Sequence, residues 1–291
     1  MQVIFHCGAH GTEEDRLLKT LLRNKDRFRQ HGTVVPGPGK YRYLIKDCIA
    51  ALQEGQATAD ARDVLWDAIL EEEQADRVIL SNANFFGSQR QSLGGSQFYP
   101  EAEGRLLALR QLFAQDELEL YIGLRNPATM LPGLFENAHP DRKTKVLQEL
   151  DPYGLRWSDL LKRLRNAVPE VPITVWCFED MPLIWAQIIR EMSGLEMNQR
   201  LDGGMDLLAA IMTREGMQRL RHYLGQHPEM TEMHRRRVFS AFLDKYVRDD
   251  ELEEEIDLPG WSDAMVDTVT SLYEEDMETV QRIPGVTMLS P

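Results

Sequence analysis

Hydrophobic residues in the first 200 positions follow two alternating patterns. Short apolar runs at residues 3–7, 77–81, 119–124 and 173–178 predict β-strands, and a shorter run at 34–35 predicts a fifth. Between the runs, apolar residues recur three or four positions apart, which is the spacing of one helix face. Such stripes occupy residues 17–22, 64–69, 106–113, 157–164 and 184–192. Strands that alternate with helices predict an α/β fold with a central, mostly parallel sheet.

The pattern changes after about residue 202. Apolar residues at 207–212, 238–246 and 266–280 keep helical spacing, and no segment there predicts a strand. The acidic run at 249–255 predicts a solvated loop or helix end. Because no repeat or low-complexity linker interrupts the chain, we predict a single domain over residues 1–291. It consists of an α/β core at 1–200 and a helical extension at 201–291 packed on that core.

Charge and composition narrow the possible functions. The 291 residues include 47 acidic and 33 basic side chains, for a net charge of −14. This balance disfavours binding to nucleic acid, since phosphate backbones require clustered Lys and Arg. No apolar run approaches 18 residues and the first residues lack signal-peptide features, so we expect no membrane partner. Three widely separated cysteines favour a reducing, cytoplasmic location.

The first predicted strand leads into a glycine-containing loop, residues 8–12, and then into an amphipathic helix. We call residues 8–12 the cradle loop. A turn of this kind directs backbone N–H groups and the positive end of the helix dipole at one point, where an anion can bind. The Gly-Lys-Ser/Thr ending of a Walker A loop is missing, which disfavours a P-loop kinase.

Two later strands deliver polar groups to the same predicted edge. Arg125, followed by Asn126-Pro127, comes directly after the strand at 119–124, and the pair Glu179-Asp180 follows the strand at 173–178. Open parallel sheets bind ligands at the carboxyl ends of their strands. The sequence therefore predicts a ligand site that combines the cradle loop with Arg125.

In this order and spacing, the landmarks resemble the bacterial branch of the sulfotransferase family over roughly residues 1–195. The resemblance implies a P-loop-type, three-layer α/β fold and the donor 3′-phosphoadenosine-5′-phosphosulfate, with no metal. It implies that the cradle loop holds the phosphosulfate and that Arg125 contacts the 3′-phosphate. The donor-binding residues carried over are Gly8, Ala9, Gly11, Thr12 and Arg125. Residues 178–181 match the aromatic-Glu-Asp-Leu motif of the family, with Met181 at its last position.

Three positions depart from the family pattern. The loop lysine is replaced by Gly11, the serine eight residues after Arg125 by Gly133, and a glutamate common near position 83 by Ala83. Sulfuryl transfer needs positive charge on the moving group and a base for the acceptor. His6 and His10 are the remaining candidates for the catalytic base or charge stabiliser. Cations that could compensate for the missing lysine are Arg16, Lys40 and Arg42.

Acidic residues follow the cradle loop directly, at Glu13, Glu14 and Asp15. Acids in the first turn stabilise a helix by about 0.3–1 kcal/mol each. The same charges repel a bound anion by about 1–4 kcal/mol each at close range. The loop is therefore better suited to helix stability than to phosphate binding.

Other motifs allow a second interpretation. His6, Cys7, His10 and Cys48 suggest a metal site. His6 and Cys7, however, are adjacent strand residues that point to opposite faces, so we favour a structural or loop-stabilising role for the histidines. The 179–180 pair could be catalytic carboxylates, although capping of the following helix is favoured. The loop at residues 36–42 carries two cations and a tyrosine; a solvated turn is favoured there over a ligand-contacting loop.

Two functions remain open. The first is an enzyme that transfers a sulfuryl group from 3′-phosphoadenosine-5′-phosphosulfate to a hydroxyl or amine of a small-molecule or glycan acceptor. The second is a catalytically inactive protein that keeps the sulfotransferase fold and uses its cleft for binding. The sequence selects neither an acceptor nor an oligomeric state.

Overall fold

The chain folds around one parallel sheet, seen in a computed structural model that describes residues 1–13, 15–55, 60–70, 74–136, 139–197, 199–248, 258 and 260–291. The strands of this sheet are β1 Gln2–His6, β2 Thr33–Val34, β3 Arg77–Ser81, β6 Glu117–Leu124, β7 Ile173–Cys177 and β8 Val286–Leu289. A separate antiparallel pair is formed by β4 Leu93–Gly94 and β5 Gln97–Phe98.

Helices connect and cover these strands. Before β6 they are α1 Arg16–Arg23, α2 Lys25–Arg29, α3 Arg42–Gln53, α4 Ala61–Leu70 and α5 Ala102–Leu112. After β6 they are α6 Pro127–Phe135, α7 Pro140–Glu149, α8 Trp157–Ala167, α9 Met181–Ser193, α10 Asp206–Ile211, α11 Arg214–Gln226, α12 Glu232–Tyr246 and α13 Asp263–Val280. Within the described residues, no helix is both long enough and apolar enough to cross a membrane.

The strand order is β2-β3-β1-β6-β7-β8, and each neighbouring pair runs parallel. Val3, Ile4 and Phe5 of the central strand β1 are fully buried, since helices cover both faces of the sheet. One layer contains α3, α4, α5, α6, α8 and α13, and the opposite layer contains α1, α2, α9 and α10. The predicted α/β class with a parallel sheet between helical layers is confirmed.

The five predicted strands are present, but the prediction that no strand follows residue 202 is wrong. The last element, β8, pairs in parallel with β7. It has four residues and follows a Pro-Gly turn, so it shows neither the length nor the alternation of a recognisable strand. Its pairing depends on β7, which lies more than 100 positions earlier in the chain.

The tail places its other elements against the α/β core. Helix α13 contacts α6 and α8, while α10 and α12 contact α9. A smaller apolar cluster joins α10, α11 and α12 to one another. The acidic run at 249–255, for which a loop or helix end was predicted, lies outside the described residues.

Strand β1 sits where the chain changes direction across the sheet. From β1 the chain proceeds to β2 and β3 on one side, and from β6 it proceeds to β7 and β8 on the other. The loops that leave β1 and β6 therefore diverge and open a cleft between them. Such a switch point is the usual ligand-binding position of open α/β sheets.

Glu179 connects three elements below this cleft. Its carboxylate accepts the backbone N–H of Asn126 at 2.9 Å, after β6, and the hydroxyl of Tyr273 at 2.9 Å, from α13. Asp180 makes no capping hydrogen bond to α9. The prediction that the 179–180 pair caps the following helix is therefore wrong, because Glu179 instead holds the end of β6 against the C-terminal helix.

We expect Tyr273→Phe to lower the free energy of unfolding by about 0.5–1.5 kcal/mol, since the hydroxyl of the buried Tyr273 loses its bond to the carboxylate of Glu179, which is itself exposed. Urea denaturation measures this change. Tyr153→Phe serves as the matched control, because Tyr153 is exposed and should lose less than about 0.5 kcal/mol. Equal losses of unfolding free energy in Tyr273→Phe and Tyr153→Phe would contradict the conclusion that Glu179 holds the end of β6 against α13.

Candidate ligand-binding site

A cavity of about 420 Å³ lies at the carboxyl ends of β1, β3 and β6. We call it the cradle cavity. Its walls are the loop after β1, the segment after β3, Arg125 and part of α6. The predicted site residues that line it are His6, Ala9, His10, Gly11, Thr12 and Arg125; Gly133 lines it as well. Gly8 is not among the lining residues, although it lies in the same loop.

Arg125 lies beside the cradle loop, as predicted. Its guanidinium donates to the carbonyl of Gly11, and its Nε donates to the Thr129 hydroxyl at 3.1 Å. The guanidinium carbon also lies 4.3 Å from the centre of the Phe178 ring. These contacts hold the Arg125 guanidinium in the wall of the cradle cavity. They also use part of its hydrogen-bonding capacity within the protein, on the cradle loop.

The loop conformation favours glycine at the position of the family's lysine. Gly11 has φ of 74°, in the left-handed region, where a residue with a side chain pays about 1–2 kcal/mol. The Thr12 hydroxyl donates to the carbonyl of Ala9 at 2.6 Å, so its proton is used within the loop. A lysine at position 11 would therefore strain this backbone.

The carboxylate of Glu13 is buried at the cradle. Its side chain is 3% exposed, and Oε1 contacts Nε2 of His6, whose Nδ1 lies 2.8 Å from the hydroxyl of Ser81. Burial opposes ionisation, but the adjacent His6 and the hydrogen bond from the Glu13 backbone N–H together hold the pKa of Glu13 below its ordinary value. An internal negative charge thus stands beside the cradle loop, where the sequence predicts a bound anion. Glu14 lies outside the described residues.

Ser81, His6 and Glu13 form a chain of contacts in the order nucleophile, base and acid: the Ser81 hydroxyl lies 2.8 Å from Nδ1 of His6, and Nε2 of His6 contacts the Glu13 carboxylate. Both the backbone N–H and the carbonyl of Ser81 bond to the hydroxyl of Tyr41, and Ser81 is 3% exposed. The next amide, of Asn82, donates to the His6 carbonyl and is not available to an oxyanion. The chain is therefore a structural network rather than a nucleophilic triad.

His10 is held by two partners. Its backbone N–H and its Nδ1 both lie 2.9 Å from the hydroxyl of Tyr99, and its Nε2 lies 3.1 Å from Oδ1 of Asn84. The Tyr99 hydroxyl accepts the backbone N–H and donates to Nδ1, so Nε2 carries the proton given to Asn84. Burial lowers the pKa of His10, and the bond to Asn84 opposes this effect. Both ring nitrogens are engaged, so neither is presented to an acceptor.

Negative charge outweighs positive charge around the cradle cavity. Its described lining includes the carboxylates of Glu13, Asp15 and Glu136 and the guanidiniums of Arg42 and Arg125. Arg42 also pairs with Asp15, at 2.6 Å. Arg16 and Lys40, the other cations that could have compensated for the missing lysine, do not line the cavity.

Sequence reasoning missed the two tyrosines that organise the site. Tyr41 holds the end of β3, and Tyr99 holds His10. Each lies in or next to a turn, outside any periodic stripe: Tyr41 belongs to the loop at 36–42, and Tyr99 directly follows Phe98. Their only sequence signal is a tyrosine beside a proline- or glycine-rich segment, which is common in ordinary loops.

Comparison with protein-family models and with curated proteins finds no match for this chain. Among the described residues, no group of three or more His, Cys, Asp or Glu side chains is arranged to hold a metal ion. The arguments for function therefore depend on the contacts within the cleft.

We expect Glu13→Gln to be less stable than the wild type by about 1–3 kcal/mol at pH 7, because the buried His6 contact loses its charge. A lowered pKa stabilises the fold above the ordinary Glu pKa of 4.5, and this contribution is lost as the pH falls below 4.5 and through the folded pKa. The difference between the variant and the wild type should thus shrink towards pH 3.

Urea denaturation at pH 7, 5 and 3 measures this dependence. Glu278→Gln is the matched control, since Glu278 of α13 forms an exposed pair with Arg282 just after that helix and should change stability little at any pH. If the loss of unfolding free energy in Glu13→Gln stays constant from pH 7 to pH 3, the buried carboxylate of Glu13 is not ionised in the folded protein.

Proposed function

We propose that this chain is a non-catalytic ligand-binding protein with a sulfotransferase-like, P-loop-type architecture. The relationship is supported by the strand–loop–helix at residues 2–23 and by the contact between Arg125 and the carbonyl of Gly11. Both features lie at the switch point of the sheet. The loss of transfer activity is supported by the buried carboxylate of Glu13.

The position of Glu13 carries the proposal. A phosphosulfate entering the cradle would meet an ionised carboxylate whose charge already has a partner in His6. Each close repulsion between two negative charges costs about 1–4 kcal/mol. The sulfuryl donor has several negative charges, so its binding is opposed by more than one such repulsion. Since 1.4 kcal/mol corresponds to a tenfold change in affinity, the cost reaches orders of magnitude.

Catalytic groups for transfer are also engaged elsewhere. Transfer forms a bond from the acceptor oxygen to sulfur and breaks the sulfur–oxygen bond to the adenosine bisphosphate, which leaves with the electron pair. A base must accept the proton of the acceptor, and a cation must stabilise the sulfuryl group. Here His6 is paired with Glu13, His10 is bonded at both ring nitrogens, and the position of the family lysine is Gly11.

An active sulfotransferase is the second candidate function. One observation favours it: Arg125 and Gly133 line the same cavity as the cradle loop, so a nucleotide's 3′-phosphate would have an arginine within reach. For this function, His10 would have to exchange its bond to Tyr99 or Asn84 for a bond to the acceptor. Rearrangement of Glu13 out of the cradle would also be required.

We expect adenosine 3′,5′-bisphosphate to show no calorimetric binding to the wild type at ligand concentrations up to about 1 mM, which corresponds to less than about 4 kcal/mol of affinity. Glu13→Ala should gain at least about tenfold in affinity, since it removes the carboxylate from the cradle. Arg125→Ala in the Glu13→Ala background should lose that gain.

Glu278→Ala is the control for general charge, because it removes one acidic group far from the cleft and should bind no better than the wild type. Micromolar binding by the wild type that weakens on Arg125→Ala would overturn the non-catalytic proposal and favour the enzyme.

A further inference from the structure

A second cavity, of about 650 Å³, adjoins the cradle cavity. We call it the side cavity. The two share Arg42, Asn82 and Asn84, so they form neighbouring parts of one cleft. The walls of the side cavity come from the Pro38-Gly39 turn, the first half of α3, the segment after β3 and Arg105 of α5. The loop at 36–42, for which a solvated turn was favoured, thus contributes residues to a cavity wall.

The charge of the side cavity is opposite to that of the whole chain. Its lining includes the cations Arg42, Lys46 and Arg105 and, among the described residues, no carboxylate. The chain as a whole has 47 acidic and 33 basic residues. The cradle cavity next to it has three carboxylates and two guanidiniums. Of the two cavities, the side cavity therefore offers the more favourable environment for an anion.

Its cations are accessible to a ligand. Lys46 is exposed and has no ion-pair partner in the described part of the chain. Arg105 pairs with Glu101 at 3.1 Å, and that carboxylate is exposed. Exposed pairs of this kind contribute about 0–1 kcal/mol, so a ligand anion can replace the carboxylate at small cost.

The remaining lining suits a hydroxyl-bearing ring. Tyr43 is 76% exposed at the cavity, and Ile49 and Phe85 supply apolar surface. An exposed aromatic ring offers a flat, partly apolar platform for a ligand ring. Polar side chains come from Asn82, Asn84, Ser88 and Gln91. The Ser88 hydroxyl donates to Oε1 of Gln91 at 2.8 Å, and Nδ2 of Asn84 donates to Oδ1 of Asn82 at 3.3 Å, so the groups that remain for ligand hydroxyls are the side-chain amide N–H groups of Asn82 and Gln91. The volume is within the usual range for small-molecule sites.

We infer that the side cavity binds a sugar ring that carries one negative charge. Lys46 and Arg105 select the charge, the side-chain amides of Asn82 and Gln91 donate to the sugar hydroxyls, and Tyr43 covers one face of the ring. This inference rests on the proposed binding function. It names the class of ligand, and it treats the sugar as a ligand that is bound and not as an acceptor that is modified.

The test compares two probes that differ in charge. Isothermal calorimetry measures binding of 4-nitrophenyl β-D-glucuronide and of the neutral 4-nitrophenyl β-D-glucoside to the full chain. We expect the glucuronide to bind at least tenfold more tightly, and Lys46→Met to reduce its affinity at least fivefold. Lys162→Met is the matched control, since Lys162 is exposed on α8 and lines neither cavity. A melting curve for each variant confirms folding.

Three results would overturn the inference: no binding of the glucuronide, equal binding of both probes, or equal loss in the two lysine variants. Displacement of the glucuronide by adenosine 3′,5′-bisphosphate would also overturn it, because the side cavity would then belong to a nucleotide. Binding of the bisphosphate without displacement would contradict the non-catalytic proposal but leave the sugar site standing, so the two failures are distinguishable.

Discussion

The parallel pairing of β1 with both β3 and β6 brings together the strand ends that carry the polar groups of the cradle cavity. Because the three strands run in the same direction and in register, His6, Ser81 and Tyr121 fall at one level of the sheet. The loops that follow must then leave from the same edge, with the cradle loop between the two neighbours. Removing this pairing would separate Arg125 from Gly11, and no local feature of either loop would bring them together again.

At this edge of the sheet, the buried contact between His6 and Glu13 determines which ligands the cradle cavity can accept. A carboxylate this deeply buried requires a partner, since isolation of a charge from water costs several kcal/mol. His6 supplies the partner from the end of β1, and Ser81 fixes the other nitrogen of its ring. Glu13 therefore occupies the position beside His6 that a bound anion would otherwise take.

Local patterns were sufficient to predict five of the six strands of the parallel sheet and its helical layers, because buried parallel strands are apolar runs and their connections carry helical stripes. They missed β8, since it is short and its partner β7 is distant in the sequence. The position of Arg125 was predictable for the same reason: a residue directly after a strand lies at the ligand-binding edge. The contacts of Glu13 were not, since helix-start acids usually face solvent and complement the helix dipole. Its inward direction depends on His6, which reaches it only through the three-dimensional turn of the loop.

The division of charge between the two cavities follows from where their walls come from. The cradle cavity is built around the loop before α1, which has no acid in its first turn and no cap from Asp15, so the expected stabilisation of this helix by acids is absent. The carboxylates there are held by ion-pair contacts instead, Glu13 by His6 and Asp15 by Arg42. The side cavity is lined by α3 and α5, where Lys46 has no ion-pair partner in the described part of the chain and Arg105 pairs with the exposed Glu101. A cation with no partner, or with an exposed one, can bind a ligand at small cost, so an anionic ligand in this cleft is better served by the side cavity than by the cradle cavity.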